Sequence, residues 1–549
     1  MSERVSPSRR ALLRAAASGG IAAALSAACG RARGADRIRG QFVDGEHAAA
    51  HRWRDGALPS AVAGRSERAR VLIVGGGAAG SSAAWRLARE GVDGVVLLEL
   101  GADVGGTSRG GQTAGLAHPW GAHYLPVPRR SQRALTAFLV EAGLAQLPQS
   151  GERLLVPDEA LVRAPDERLF TLGHWEEGLW PRGGGAKGED EAARARFEAL
   201  VDSYARLPLD PEGRRAFDLP LAHTSAAARA LDNESAADFA ARHGLTGERI
   251  RWWLEYATRD DFGAALGDTS AYALVHYFAA RAAVTGDTVE EPGEYMTWPE
   301  GNQRLVRALH ARAVDTRTST MATSVTAFAG GVEVESIDIR DGSRSTWRAE
   351  RVILATPQFL NLRLLREDPA RASRATFRYG PWVVANLDLP DPPPERGFPR
   401  AWDNVRYLSP SLGYVDATHQ LDRAERSAVW TWYLPVTDRD ERAARAALLS
   451  APWEHFRDLV LTDLRGPHPD LCDRVRRIDV FRHAHAMVRP SPGWLWGPDR
   501  ARAAESFGGV HFANTDLAGL ALFEEAHWHG TRAAEEVMAG IGVDFEALA

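Results

Sequence analysis

Between Val71 and Glu99 the chain follows an order of residue types that few folds accommodate. Val71-Leu72-Ile73-Val74 is a short apolar run, the pattern of a strand buried on both faces of a parallel sheet. Gly75-Gly76-Gly77-Ala78-Ala79-Gly80 follows and supplies G-x-G-x-x-G. Ser81 to Glu90 then places Ala83, Ala84, Leu87 and Ala88 on the packing side of a predicted helix, which Gly91 stops. Val95 to Leu98 is a second strand, ending at Glu99, close to the ~20-residue spacing of a dinucleotide-binding unit. Each part has a mechanical reason. Gly75 makes the tight turn, Gly77 lets the backbone approach a pyrophosphate, and Gly80 allows close helix–strand contact. Ala78 and Ala79 open the helix, whose N-terminus favours anionic phosphates. Glu99 can accept hydrogen bonds from ribose hydroxyls and would repel a 2′-phosphate. A glycine-rich turn alone is also compatible with a purely structural role; strand, helix, strand and acid in register point to a dinucleotide.

Composition bounds the rest. At roughly 150 residues per domain, 549 residues amount to three or four domains' worth of chain. Hydrophobic residues make up 45% and charged residues 25%, so a large folded core is expected. A net charge of −6 carries no footprint for nucleic acid. Beyond the N-terminus no apolar run approaches the ~18 residues of a membrane span, which excludes a polytopic membrane protein. Two cysteines, Cys29 and Cys472, exclude a disulfide framework and a cysteine-based zinc or iron–sulfur site. Of 66 basic residues only Lys187 is lysine. Codon bias explains the arginine excess, but lysine chemistry is thereby removed from nearly every position.

The N-terminus reads as an address. Arg9-Arg10 precede a short Ala- and Gly-rich stretch, Ala15 to Ala28, which resembles a twin-arginine export signal over residues 1–29. Leu25-Ser26-Ala27-Ala28-Cys29 resembles a lipoprotein cleavage box, making Cys29 a candidate lipid anchor. These features imply the twin-arginine machinery as a partner and a periplasmic or membrane-anchored destination. A cytoplasmic chain with an arginine-rich leader is the alternative. Residues 30–68 are expected to be a linker or N-terminal arm.

Further motifs narrow the dinucleotide. Gly101-Ala102-Asp103-Val104-Gly105-Gly106-Thr107-Ser108 follows Glu99 directly. There the chain resembles the superfamily of flavin-dependent amine oxidases, protoporphyrinogen oxidases and phytoene desaturases. Those proteins place a Gly-Gly doublet where the backbone passes the FAD pyrophosphate; arginine often follows, and this chain has Thr107. Pro119-Trp120-Gly121-Ala122-His123-Tyr124 resembles the segment that passes the isoalloxazine ring. Trp298 to Leu305 is similar to the family's P-x-G-G-x-x-x-L segment, with Asn302 in place of the second glycine. Ala322 to Glu335 reads as two strands around Gly330-Gly331, with Val325 matching the valine that meets the adenine end. Arg351 to Pro357 matches the A-x-P strand. Gly509 to Asp516 and the predicted helix Phe523 to Met538 resemble the final strand and the helix that cover the ribityl chain. There Asn514 replaces a glycine and Thr515 takes the acidic position, with Asp516 one residue on.

The resemblance implies FAD, held non-covalently because no cysteine lies in either flavin-contacting segment. It implies an α/β fold: a Rossmann-type FAD-binding domain assembled from 69–125, 295–370 and 505–549, with an interleaved α+β substrate domain from 126–294 and 371–504. It also implies oxidoreductase chemistry, with hydride transfer from a substrate C–H, of an amine or an apolar molecule, to flavin N5. A polyene or lipid desaturase or isomerase is one alternative, and a non-catalytic flavin-holding protein another.

The middle of the chain is less informative. Gly183 to Gly188 is an expected loop containing Lys187. Ala236 to His243, with Ser235 as N-cap, Arg251 to Phe262 and Ser270 to Val284 are expected helices. Their Trp252, Trp253, Tyr256, His276, Tyr277 and Phe278 suit either helix core or an aromatic substrate pocket, as do Trp382, Trp402, Trp430, Trp432, Trp494 and Trp496. His483 and His485 would share one strand face, but no third ligand is evident and no metal is assigned. Many family amine oxidases hold a water at flavin N5 with a lysine. The segment after Pro357 contains none, and Leu522 stands where a substrate-flanking tyrosine is expected. Arginine stays protonated and cannot substitute. His123 is therefore the catalytic candidate, and the electrons are expected to pass to an acceptor other than oxygen, which the sequence does not name.

Overall fold

The strand that opens the glycine motif pairs on both sides, and the nucleotide-binding half is built outward from it. The computed structural model describes residues 35–57, 62–182, 187–281, 283–285, 288–290, 294–312, 314–421, 427–438 and 440–549. The segment read as an export signal, with Arg9, Arg10 and Cys29, lies outside the described residues, as do residues 183–186 of the glycine-rich loop. Val71 to Val74 pairs in parallel with Val95–Leu98 on one side and with Ser343–Leu354 on the other. The seven-stranded sheet runs Asp315–Arg317, Val95–Leu98, Val62–Val74, Ser343–Leu354, Gly331–Asp338, Thr320–Phe328, with Val510–Phe512 also on Ser343–Leu354. Val95–Leu98 and the end of the first strand, Val71 to Val74, are apolar throughout because both faces are covered. The fold is α/β with a Rossmann-type unit.

The first strand is longer than the apolar run suggests. It begins at Val62, and Arg65 to Ala69 pair with Ser345 to Ala349. The polar stretch Arg65-Ser66-Glu67-Arg68 carries no hydrophobic period, yet its backbone joins the ladder. Residues 35–57 are a docked arm rather than a loose linker. Arg39 and Phe42 bridge in parallel to Arg477 and Val480, so the arm covers the edge strand Arg477–Val488. Asp44 holds Arg482 through both oxygens, at 2.8 and 3.0 Å, and Glu46 holds Arg109 at 2.9 and 3.0 Å.

A second seven-stranded sheet runs Arg477–Val488, Tyr379–Leu389, Ala428–Pro435, Gly413–Asp416, Asp403–Arg406, Glu167–Thr171, His174–Glu177. One face packs Trp430 and Trp432 with Phe456, Val460 and Leu464 of the helix Trp453–Leu464, so these two tryptophans are core. The other face carries Trp382, Val384 and Tyr433 with Trp120, Trp402 and Tyr256. Helices Lys187–Ala205, Ala236–Arg242, Glu248–Phe262 and Ala271–Ala279 form a separate apolar cluster. Ser235 caps its helix by accepting the Asp238 N–H at 3.1 Å. Lys187 opens a helix and does not sit in a loop. The last of these helices ends at Ala279, short of the expected Val284, and Arg281 reaches back to Asp261. Among the described residues no helix is long and apolar enough to cross a membrane.

Candidate functional site

The glycine motif folds for the reasons its spacing suggests. Gly75 has φ +103°, and a Cβ there would stand 2.9 Å from the Ala355 oxygen. At Gly80 a Cβ would stand 1.8 Å from the Gly75 oxygen, so no other residue fits without moving the helix Ala78–Arg89. That helix has Gly77 as N-cap and no side chain capping its first N–H groups. Gly105 donates to the Gly76 oxygen at 2.9 Å, which lays the glycine doublet on the loop. A Cβ on Gly106 would sit 3.2 Å from the Gly77 Cα. Gly77 and Ala78 are half-buried, Ala79 is buried, and Gly106 and Thr107 are exposed. The result is a backbone-walled cradle at an uncapped helix N-terminus, which fits an anionic pyrophosphate.

Glu99 is oriented toward this loop. Its two oxygens accept the N–H groups of Gly76 and Gly101, each at 2.6 Å. Burial raises its pKa above the usual carboxylate range, against the pull of those two donors. Val325 is buried, and its carbonyl accepts the Arg366 N–H at 3.2 Å. Asp516 is buried too. Its Oδ2 accepts the Gln358 N–H at 2.8 Å and the Tyr379 hydroxyl at 2.6 Å, and burial raises its pKa to about 6. It ties the end of the A-x-P strand to the second sheet, and the half-buried Asn514 and Thr515 stand in front of it.

The segment Pro119–Tyr124 is held by every one of its carbonyls. Asn386 Nδ2 donates to Pro119 at 2.9 Å, His483 Nε2 meets Trp120 at 2.7 Å, and the Tyr433 hydroxyl donates to Gly121 at 3.1 Å. The Asn302 N–H donates to Ala122 at 3.1 Å, the Thr297 hydroxyl to His123 at 2.7 Å, and Asn302 Nδ2 to Tyr124 at 2.9 Å. Three of these side chains come from three adjacent strands of the second sheet, so the segment joins the two halves of the molecule. His123 stacks on Tyr433 with ring centres 5.0 Å apart and touches Trp402 at 5.3 Å. Its Nδ1 lies 3.3 Å from the Gly121 oxygen, which fixes the proton there and leaves Nε2 as acceptor. Burial lowers its pKa to about 4, so the imidazole is neutral at pH 7. Of the two histidines read as a conceivable metal pair, His483 stacks on Phe481 and His485 on Phe359. Among the described residues no three His, Cys, Asp or Glu side chains converge as metal ligands.

Beside His123 lie three carboxyl groups that the sequence does not single out, among aromatic rings of which it names Tyr256 and Tyr277. Asp260, Asp403 and Glu167 gather with Tyr124, Tyr256, Tyr277, Tyr295 and Tyr433. Tyr256 donates to Asp403 at 3.1 Å and Tyr277 to Asp260 at 3.4 Å. Arg281 faces Asp260 electrostatically, but it lies 2.8 and 2.9 Å from the oxygens of Asp261 and 3.2 Å from the Tyr124 hydroxyl. Burial, then the neighbouring Asp261, raises Asp260 to about 7; burial, then Asp166, raises Glu167 to about 7. Asp403 is raised well above the usual range by burial and then by Asp260. Glu167 is exposed and Asp260 and Asp403 are half-buried, so their carboxylates stay within reach of a ligand.

Residues 73–142 match the NAD(P)-binding Rossmann-like domain family. No curated protein gives a significant match. Among solved structures, putrescine oxidase bound to putrescine is 18% identical, with 86% of this chain and 100% of that chain covered and a TM-score of 0.63. Cyclohexylamine oxidase from Brevibacterium oxydans IH-35A is 17% identical over 86% of this chain and 99% of that one, with a TM-score of 0.62. A fatty acid isomerase from P. acnes that produces CLA is 15% identical over 85% and 98%, with a TM-score of 0.54. The chain shares the fold of these structures, with a Rossmann-like nucleotide-binding domain over residues 73–142.

Proposed function

We propose that this protein is an FAD-dependent oxidoreductase that oxidises the carbon beside a cationic amine nitrogen. The observation that carries the substrate class is the acid–aromatic group at His123: three carboxyl groups beside which Arg281 is already engaged by Asp261. An ammonium there would be attracted to the carboxylates and would rest against tyrosine and tryptophan faces. An apolar polyene would offer those groups neither a charge nor a hydrogen bond.

The loop Gly75–Gly80, Glu99 and the doublet Gly105-Gly106 would hold the nucleotide, non-covalently, and the pinned segment Pro119–Tyr124 would lie along the ring. Bound FAD supplies a two-electron acceptor that takes a hydride at N5. The chain's own part is to orient the substrate C–H and to take the amine proton, for which His123 Nε2 is the available acceptor. Strand Tyr379–Leu389 presents Trp382, Val384 and Asn386 toward this region and no ammonium, in keeping with an electron acceptor other than oxygen. The reading includes twin-arginine export, supported by Arg9-Arg10, with Cys29 as lipid anchor.

Anaerobic titration across amines, amino acids and polyenes tests the substrate class. Amines should bleach the flavin, and Asp403→Asn with Asp260→Asn should raise the amine concentration needed by about tenfold or more while leaving flavin content unchanged. Bleaching by polyenes alone would overturn the proposal.

A further inference from the structure

Two cavities flank the start of the final helix, Phe523–Gly540, and they meet at one carboxyl group. The first, with about 20 Å³ of space for water, is lined by Val127, Arg129, Arg281, Tyr295, Gln132 and Glu524. The second, with about 10 Å³, is lined by Arg133, His223, His527, Trp528 and again by Gln132 and Glu524. Those last two are the residues common to both. Arg281 and Tyr295 connect the first cavity to the amine site: Arg281 donates to the Tyr124 hydroxyl at 3.2 Å, and the Tyr295 and Tyr124 rings are 5.2 Å apart. Arg133, with a side chain 56% exposed, opens the second to solvent. Glu524 itself is 5% exposed. Its carboxylate accepts from its own backbone N–H, and no other described side chain bonds to it.

We propose that Glu524 carries protons between the amine site and solvent, through the two cavities that meet at its carboxyl group. The inference rests on the amine-oxidising reading. Conversion of R–CH₂–NH₃⁺ to R–CH=NH₂⁺ sends one hydride to the flavin and releases one proton. That proton starts in a site walled by protein and must leave it in each turnover. The groups facing Glu524 are compatible with carrying it. Arg281 favours the ionised form and Asp261 opposes it. On the same helix Glu525 turns away to the Leu221 N–H, and His527 is neutral because burial lowers it to about 3. Arg129, Arg153 and Asp218 line the first cavity, and His223 and Arg133 the second. Burial raises Glu524 to about 7, so both protonation states are populated at neutral pH.

Infrared titration of the FAD-loaded protein from pH 5 to 9 tests this without turnover. The wild-type spectrum should lose a protonated-carboxyl stretch near pH 7 that is absent from Glu524→Gln and present in Glu524→Asp. In anaerobic stopped-flow, Glu524→Gln should reduce its flavin at least about tenfold more slowly. Gln132→Leu, which narrows the neck and keeps the carboxyl, should retain the infrared band and slow reduction. Equal reduction rates in wild type and Glu524→Gln at every pH, or identical infrared titrations, would overturn the proposal. A wild type that binds no flavin would instead sink the amine-oxidising reading, and the carboxyl titration would still be readable in that protein.

Discussion

Glu525, next to the proposed proton carrier, offers a stability test that needs no substrate. It is fully buried; Oε1 accepts the Leu221 N–H at 2.6 Å, and Oε2 has no partner among the described residues. Burial, opposed by the Leu221 N–H, raises its pKa from 4.5 to about 8. A folded-state pKa above the unfolded one gives stability that is complete below pH 4.5 and lost as pH rises through about 8. At about 1.4 kcal/mol per pH unit, the full span is of order 5 kcal/mol. Glu525→Gln keeps an acceptor for Leu221 but places an amide NH₂ where no partner exists, at a cost of about 1–3 kcal/mol. The variant should therefore be less stable than wild type at pH 5, by up to about 2 kcal/mol, and more stable at pH 9, by about 2–4 kcal/mol. Urea unfolding of both proteins at pH 5, 7 and 9 measures the difference, in which the shared carboxylates cancel. Parallel stability–pH curves would refute the argument, because they would mean that Glu525 ionises in the folded protein as readily as in water.

Other consequences are open to direct measurement. Gly80→Ala puts a methyl 1.8 Å from the Gly75 oxygen and 3.1 Å from the Ala355 Cβ, so the helix must move. Flavin content should fall, with a stability loss of about 1–3 kcal/mol or more; full occupancy at wild-type stability would show that the crowding is relieved elsewhere. Reduced protein mixed with oxygen in stopped-flow should reoxidise slowly, and rapid reoxidation with stoichiometric peroxide would show that the absent lysine was given too much weight. Arg9→Lys with Arg10→Lys should leave flavin-loaded precursor in the cytoplasm, and radiolabelled lipid should appear on the wild type and not on Cys29→Ala; unchanged delivery would argue against the twin-arginine route.

The parts of this molecule that a reader can take from the sequence are those whose physics is local. Gly75, Gly77 and Gly80 are fixed by distances within one turn, and Glu99 by N–H groups of Gly76 and Gly101, so spacing alone identifies them. The polar half of the first strand, Arg65 to Arg68, escapes because a ladder uses backbone groups that leave no mark in hydrophobic period. The docking of residues 35–57 escapes for a related reason: Asp44 and Glu46 look like surface charges until Arg482 and Arg109 are brought to them. Asp260, Asp403 and Glu167 lie in three separate elements, each ordinary in its own surroundings. Tryptophans divide likewise, with Trp430 and Trp432 in the core and Trp402 beside His123. Only the topology of the second sheet decides which face each occupies.

The proposed function depends on a flavin nucleotide lying in the cradle between Gly75–Gly80 and Gly105-Gly106. The direct measurement is the absorption spectrum of the purified protein before and after denaturation, for wild type and Glu99→Arg. Wild type should be yellow and release FAD into solution on denaturation. Glu99→Arg should be colourless, since the Gly76 and Gly101 N–H groups would face a cation that cannot accept a hydrogen bond. A colourless wild type, or a fully FAD-loaded Glu99→Arg, would contradict the account.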